Sequence, residues 1–191
     1  MNHTEASPGE EVLSVDGELE LHAVSERFID PLLEVIVRHR EWLQQSMNWP
    51  AEVKGRADIE RTVRGNMMLH QRGYSKMYML LVAGELVGVL SFNQIEPNNK
   101  TAYIGYWRSP DCPRKGVVSQ ALQKVMAHYS AAGIIRRFVI KCIVTNEASN
   151  QLARRNGFQL EGRMREAEFL NGSYHDQHIY GCIIDPASDN Q

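Results

Sequence analysis

The sequence lacks several features that would assign a function at once. It contains neither a G-x-G-x-x-G fingerprint nor a G-x-x-x-x-G-K-[ST] loop, which disfavours nucleotide-binding proteins of the Rossmann or P-loop type. Only three cysteines occur among 191 residues, and their odd number and spacing fit neither a disulfide framework nor a zinc site. We therefore expect no metal, and a reducing, cytoplasmic setting in which the cysteines pack rather than react.

The chain also lacks long apolar runs and a strong charge of either sign. Its apolar runs are far shorter than a membrane span, and the segment from Met1 to Glu11 is polar and acidic, unlike a signal peptide. The formal net charge of -2 argues against a protein held on nucleic acid by electrostatics alone. We expect neither a membrane nor a direct nucleic-acid partner.

The pattern of apolar residues predicts one α/β domain over residues 17–185, between flexible tails at 1–16 and 186–191. The predicted order of elements is β-α-α-β-β-β-α-β-α-β-β. Strands Thr101–Trp107 and Phe138–Val144 are separated by the clearest helix of the chain, so we expect them to be parallel neighbours. A ligand would then lie at their carboxyl ends.

The most informative segment is a strand, a loop and the start of a helix. The strand Tyr103–Trp107 runs into a loop that carries Arg114 and Lys115 and ends at Gly116. A helix N-terminus offers free backbone amides and the positive end of the helix dipole, and two cations beside it suit a phosphate group. A second strand and helix follow and could hold the rest of a long ligand.

Several polar residues that follow the strand Phe138–Val144 allow two interpretations. Asn146 and Ser149 are either an ordinary helix cap and first-turn residue or groups that face a ligand. Glu168 is either a surface carboxylate on an edge strand or an acid–base group, and Glu161 and Glu166 are equally eligible. The residues alone favour the structural interpretation in each case.

The order of elements, the strand–loop–helix unit and Asn146-x-x-Ser149 before Asn156-Gly157-Phe158 resemble the GNAT superfamily of acetyl-CoA-dependent N-acetyltransferases. The resemblance covers Leu19 to Asp185 and implies a GNAT fold, with a mixed central sheet and helices on both faces. Several longer stretches are similar to the bacterial ribosomal-protein-serine N-terminal acetyltransferases. These stretches are Trp42–Ser46, Leu69–Tyr74, Leu90–Asn93, Tyr103–Trp107, Arg136–Cys142 and Leu170–Gly172.

The resemblance implies an enzyme that moves the acetyl group of acetyl-CoA to the N-terminal amine, serine or similar, of a ribosomal stalk protein. Ser149 would donate to the departing thiolate and Glu168 would act as the base. Ala153 occupies the position at which many relatives carry a tyrosine acid. Trp42 and Trp49 would wall the acceptor site, unless they plug the core.

The resemblance also assigns residues to the coenzyme. The strand would pair with the pantetheine arm, the loop and helix start would face the pyrophosphate, and Asn146 would bond the pantetheine. The coenzyme-binding residues implied are Ile104, Gly105, Tyr106, Trp107, Arg114, Lys115, Gly116, Val117, Val118, Asn146, Asn150 and Arg154. For Arg154 and Arg155, a solvated helix face is the alternative. The family loop carries two glycines, of which only Gly116 remains, so the loop is the weakest part of the match.

Two other functions stay open at this point. A small-molecule amine such as a polyamine or an aminoglycoside would want a cluster of carboxylates, and Glu161, Glu166, Glu168 and Asp176 offer a modest one. The altered loop and the absent tyrosine would instead suit a non-catalytic acyl-CoA-binding module. The acceptor and the oligomeric state, including a homodimer, are left open by the sequence.

Overall fold

The computed structural model describes residues 10–186, which build an eight-stranded sheet in the order β1-β2-β3-β4-β5-β6-β8-β7. The strands are β1 (Val12–Ser14), β2 (Leu19–Ala23), β3 (Lys76–Val82), β4 (Glu85–Glu96), β5 (Thr101–Arg108), β6 (Arg137–Ile143), β7 (Gln159–Leu170) and β8 (Ser173–Ile183). The helices are α1 (Ile29–Arg38), α2 (Arg40–Leu43), α3 (Arg56–Arg72), α4 (Val117–Ala131) and α5 (Glu147–Arg155), with 3-10 turns at Glu26–Phe28 and Trp49–Glu52. Of the two predicted tails, residues 1–9 and 187–191 lie outside the described residues.

The predicted order of elements is confirmed from Leu19 onwards, with two differences. Strand β1 lies within the segment predicted to be a flexible tail, where it pairs with β2 and buries Leu13. Three residues are too few to show the alternation by which strands are found in a sequence. The first predicted helix is also divided in two at His39, whose backbone leaves the helical region.

Helices cover both faces of the sheet, as the family resemblance implies. Strand β3 shows why: Tyr78 and Leu80 pack in one apolar cluster with α4, whereas Met79 and Leu81 pack in another with α1 and α3. Successive side chains of a strand point to opposite faces, so a strand buried on both sides needs an unbroken apolar run.

Strands β5 and β6 are parallel neighbours, as predicted, but only over half of their length. Their ladder runs from Thr101↔Arg137 to Ile104↔Ile140. Beyond that pair, β5 continues along β4 and β6 continues along β8. The sheet therefore opens at the carboxyl ends of these two strands, where the site described below lies.

Candidate active site

An open trough of about 1630 Å³ runs through the gap between β5 and β6. We call its two parts the helix end and the hairpin end. The helix end is lined by β5, β6 and the first turns of α4 and α5, and the hairpin end by α2, the turn that contains Trp49, and the β7–β8 hairpin tip.

The predicted strand residues, Ile104 to Trp107, all line the trough. Gly105 is required by space: a Cβ atom there would lie 2.5 Å from Nδ2 of Asn93 on β4. No real Cβ atom approaches a neighbour so closely, so a larger residue would displace the Asn93 amide. The absence of a side chain at Gly105 makes room for the Asn93 amide, and β6 leaves the facing edge of β5 unpaired beyond Ile104.

The predicted helix start also lies at the trough. Gly116 has a φ of 71°, a left-handed conformation that glycine adopts at low cost. Helix α4 begins after it without a side-chain cap, so its first backbone amides stay available for an anion. Among the described residues, Arg114 is not one of those with a positive φ. The backbone therefore does not need the second family glycine at that position.

The two predicted cations of the loop differ in their surroundings. Nη2 of Arg114 donates to Oδ2 of Asp16 at 2.6 Å and to Oε1 of Gln120 at 2.7 Å, and its Nη1 lies 3.2 Å from Oε2 of Glu18. The Arg114 guanidinium holds the pKa of the Asp16 carboxyl well below its usual range. Arg114 thus joins the loop to the β1–β2 turn, whereas Lys115 is exposed.

Helix α5 brings two predicted polar residues to the trough and keeps a third behind its wall. Asn146 caps the helix, with its Oδ1 accepting from the backbone N–H of Ser149 at 3.2 Å, and both residues line the trough. Asn150 is 1% exposed. Its amide donates to backbone oxygens, including that of Ile143, and its Oδ1 accepts from the Tyr180 hydroxyl at 2.6 Å. The Asn150 side chain is thereby committed to holding α5 against β6 and β8.

The two arginines at the end of α5 are placed differently. Arg155 lines the trough, and Arg154 does not. Nη1 of Arg154 lies 3.9 Å from Oε1 of Glu147, and about half of its side chain is exposed. Arg154 therefore lies on a solvated helix face. Arg155 is the better placed of the two arginines to meet an anion in the trough.

Ser149 has a partner that sequence reasoning did not identify. The hydroxyl of Tyr106 on β5 donates to Oγ of Ser149 across the trough at 2.9 Å. Burial raises the pKa of Tyr106 to about 12, so this phenol stays protonated at neutral pH. Because Tyr106 donates to Ser149, the serine O–H is free to donate in turn. In the sequence, the only sign of this hydrogen bond was a tyrosine in the strand before the loop.

Of the four carboxylates considered in the sequence, only Glu168 lines the trough. It accepts a hydrogen bond from Nε2 of Gln177 at 2.8 Å. Glu161 pairs with Arg137, and Asp176 pairs with Arg163. The predicted carboxylate cluster is therefore dispersed, because its members belong to different faces and different ion pairs of the β7–β8 hairpin.

Trp42 and Trp49 line the hairpin end of the trough, as predicted for an acceptor site. Their side chains are 40% and 36% exposed, which excludes the alternative that they plug the core. The rings of Trp49 and Trp107 lie 6.0 Å apart between centroids. Trp49 thus continues the wall that begins on β5.

A family model described as "Acetyltransferase (GNAT) domain" matches residues 18–159 of the chain. The chain belongs to the GNAT acetyltransferase family. It has the family's fold and is an acetyl-CoA-dependent N-acetyltransferase.

Individual relatives of this acetyltransferase match over nearly the whole length. The ribosomal-protein-serine acetyltransferase of Escherichia coli is 54% identical over 92% of this chain and 98% of its own. A structure of the ribosomal L7/L12 alpha-N-protein acetyltransferase with coenzyme A is 51% identical, with a TM-score of 0.89 over 92% of this chain and 99% of that one. A Salmonella typhimurium structure, described as modifying the N-terminal serine of L7/L12, is 49% identical, with a TM-score of 0.85 over 92% and 100% of the two chains.

Acetyl-CoA fits the helix end of the trough in this acetyltransferase. The uncapped amides of α4 suit its pyrophosphate, and the edge of β5 left unpaired by β6 beyond Ile104 suits its amide-rich arm. Within residues 10–186, no group of three or more His, Cys, Asp or Glu side chains is arranged to hold a metal ion. Over the same range, no helix has the length and apolar character needed to cross a membrane.

Proposed function

We propose that this acetyltransferase modifies the N-terminal amine of a ribosomal stalk protein, with serine or a similarly small residue in first place. The observation that carries the proposal is the 54% identity to the Escherichia coli ribosomal-protein-serine acetyltransferase over 98% of that enzyme. The open trough supports it, because a flexible chain end can enter from the hairpin end and extend past Trp42 and Trp49.

The charges along the trough support a peptide over a polycation. Arg108, Lys141 and Arg155 line it, against Glu147 and Glu168. Nζ of Lys141 lies 4.9 Å from the centre of the Tyr103 ring, where it adds positive potential to the floor. A polyamine or an aminoglycoside would gain little in such a site, whereas an N-terminus brings a single amine and neutral backbone groups.

In this proposal Glu168 is the general base. An N-terminal amine has a pKa of about 8, so a carboxylate that accepts its proton, directly or through water, is sufficient. The Gln177 amide bonds one oxygen of Glu168 and fixes the carboxylate at the wall of the trough. Its second oxygen is then available to the incoming amine.

Ser149 in this proposal donates a hydrogen bond to the sulfur as the thiolate departs. A serine hydroxyl is too weak an acid to give up its proton readily, but a thiolate leaves easily and gains from a charge-assisted hydrogen bond. Tyr106 supports the serine, because its own donated bond polarises the Ser149 O–H. The absent helix tyrosine, replaced by the buried Ala153, is thus compensated by a tyrosine on β5.

We also place the reaction in the cytoplasm. Cys112, Cys142 and Cys182 are all free thiols. Burial raises the pKa of Cys142 to about 11, so this thiol is protonated at neutral pH. Free, unreactive thiols fit a reducing compartment, which is also where ribosomal proteins are made.

Thiol release from acetyl-CoA tests the proposal directly. We expect release with a peptide that carries the stalk protein's N-terminal sequence, and none with the same peptide acetylated at its α-amine. Spermidine and an aminoglycoside serve as rival acceptors. The Glu168→Gln variant should lower kcat with the peptide by about 100-fold and leave acetyl-CoA affinity unchanged.

Transfer to spermidine or the aminoglycoside, with none to the peptide, would contradict the proposed acceptor. Tight acetyl-CoA binding without transfer to any of these amines would also contradict the proposed acceptor and point to an amine outside this panel. Mass spectrometry of the peptide locates the acetyl group and separates the α-amine from lysine side chains.

A further inference from the structure

Between Met164 and Glu168, strand β7 of the β7–β8 hairpin has two more residues than strand β8. At one end of this stretch Met164 pairs with Gln177, and at the end towards the tip Glu168 pairs with His175. Three residues of β7, numbers 165–167, therefore face the single residue Asp176 of β8. This is a bulge with two surplus residues.

The bulge decides which carboxylate reaches the trough. In a regular ladder continued from Met164↔Gln177, Glu166 would stand opposite His175 and Glu168 would move out to Ser173, near the hairpin tip. His175 and Gln177 line the trough beside Glu168. The shift by two residues keeps the same face but exchanges Glu166 for Glu168 at the place where the base is needed.

The bulged segment lies between the pair Met164↔Gln177 and the hairpin tip. Because both are fixed, the two surplus residues must be accommodated between them. The tip is a two-residue turn in which Asn171 and Gly172 have φ of 49° and 84°, the signs of a type I′ turn. Asn171 also donates from its side chain to the backbone oxygen of Gln44 at 3.2 Å. The tip cannot slide along the strand without losing this turn and this contact.

Asp176 holds the surplus residues in place from the opposite face of the sheet. Its Oδ1 accepts from the backbone N–H of Glu166 at 2.9 Å, and Glu166 has the unfavourable φ of 48°. Its Oδ2 accepts from Nε of Arg163 at 2.8 Å. Successive strand residues point to opposite faces, so Asp176 lies behind the trough while His175 and Gln177 line it.

From this geometry we infer that Asp176 is a positioning residue, which fixes the bulge and thereby selects Glu168 rather than Glu166 as the carboxylate in the trough. The inference rests on the proposed role of Glu168 as the base. Asp176 itself touches neither substrate; its effect on the reaction passes through the backbone of β7.

A double-mutant cycle of Asp176→Ala and Glu168→Gln, assayed with acetyl-CoA and the Ser-initiated peptide, tests the inference. We expect Asp176→Ala to lower kcat by about tenfold or more, since small displacements of a catalytic group are costly. In the Glu168→Gln background the same change should cost less than about twofold, because the group that Asp176 positions is already gone. Acetyl-CoA affinity should stay unchanged throughout.

Two further variants complete the design. Asp176→Asn keeps an acceptor oxygen for the Glu166 amide and should retain most of the activity. Asp185→Ala breaks another Asp–Arg ion pair, with Arg136 at 2.7 Å, on a more exposed carboxylate than Asp176, and should be silent. If Asp176→Ala does not fold, deletion of residues 165 and 166 replaces it: this makes the ladder regular with Glu168 still opposite His175, and should give an active enzyme.

An equal loss in both backgrounds, or no loss at all, would overturn the inference and leave the base intact. A folded but inactive deletion variant would overturn it as well. Wild-type activity of Glu168→Gln would remove the base assignment and this inference together, while the acceptor panel would still decide the proposed substrate.

Discussion

The two ends of the trough are built in different ways. The helix end uses backbone: the edge of β5 where its ladder with β6 has ended, and the first amides of α4, which begin after Gly116. The hairpin end uses side chains, namely Trp42 on α2, Trp49 in the 3-10 turn that follows, and Glu168 beyond the bulge in β7. A cosubstrate shared by a whole family can be held by backbone, whereas a particular acceptor needs particular side chains.

Ser149 stands between the two ends, and its loss should have the largest effect among the following changes. Ser149→Ala removes the donor to the departing sulfur and should lower kcat by about 10- to 100-fold, the value of a hydrogen bond to a charged group. Tyr106→Phe, which leaves the serine in place, should have a smaller effect in the same direction. Steady-state kinetics with the stalk peptide measures both. An unchanged kcat in Ser149→Ala would remove the serine from the mechanism.

Trp49→Ala should impair binding at the hairpin end without affecting binding at the helix end. We expect KM for the peptide to rise by about tenfold, because aromatic side chains carry much of the energy of peptide interfaces. KM for acetyl-CoA should not change. Exposed Tyr74→Ala is the matched control, since it also removes an exposed aromatic ring but does not line the trough. An equal rise in both Michaelis constants for Trp49→Ala would show that the two ends are not independent.

Gly116→Ala is the reciprocal change at the helix end. Alanine at a φ of 71° costs about 1–2 kcal/mol, and the strain should turn the first amides of α4 away from the coenzyme. We expect acetyl-CoA affinity to fall by about tenfold, with little change in KM for the peptide. Gly133→Ala has the same strain, at a φ of 69°, and the same open surroundings at the other end of α4. It should lower the melting temperature equally but leave acetyl-CoA affinity unchanged.

The smallest effects should distinguish the two cations of the loop. Lys115→Ala should weaken acetyl-CoA binding by about threefold, and less at high salt, because its exposed charge is screened. Arg114→Ala should mainly lower the melting temperature, since Arg114 is held by Asp16 and Gln120. Calorimetry at two salt concentrations, with a thermal melt of each variant, measures both. A larger loss of acetyl-CoA affinity for Arg114→Ala than for Lys115→Ala would show that Arg114 binds the coenzyme.

Much of the helix end could be predicted from the sequence, because local patterns define it. The strand Thr101–Trp107, the glycine before Val117 and the apolar spacing of α4 are all signals within one continuous stretch, which ends with α4 at Ala131. The cap formed by Asn146 is equally local, and the structure shows it as expected. Arg114 was the exception, since its partner Asp16 lies 98 positions away and belongs to a turn that was predicted to be a tail.

Prediction of the hairpin end was less complete. The sequence named Trp42, Trp49 and Glu168, but only by resemblance, and it left Glu161 and Glu166 equally eligible. Glu161, Glu166 and Glu168 lie on the same strand, and a bulge between them changes which of their side chains face the trough. The Tyr106–Ser149 bond joins residues 43 positions apart and was not predicted at all.

By itself the sequence determined the order of strands and helices from Leu19 onwards and the glycine that begins α4, because each depends on neighbours along the chain. Only the tertiary structure decided that β5 and β6 separate after Ile104, that Tyr106 meets Ser149 and that Glu168 alone of the four carboxylates reaches the trough. Each of these depends on register between segments distant in sequence, and register is set by packing and turns rather than by local propensity.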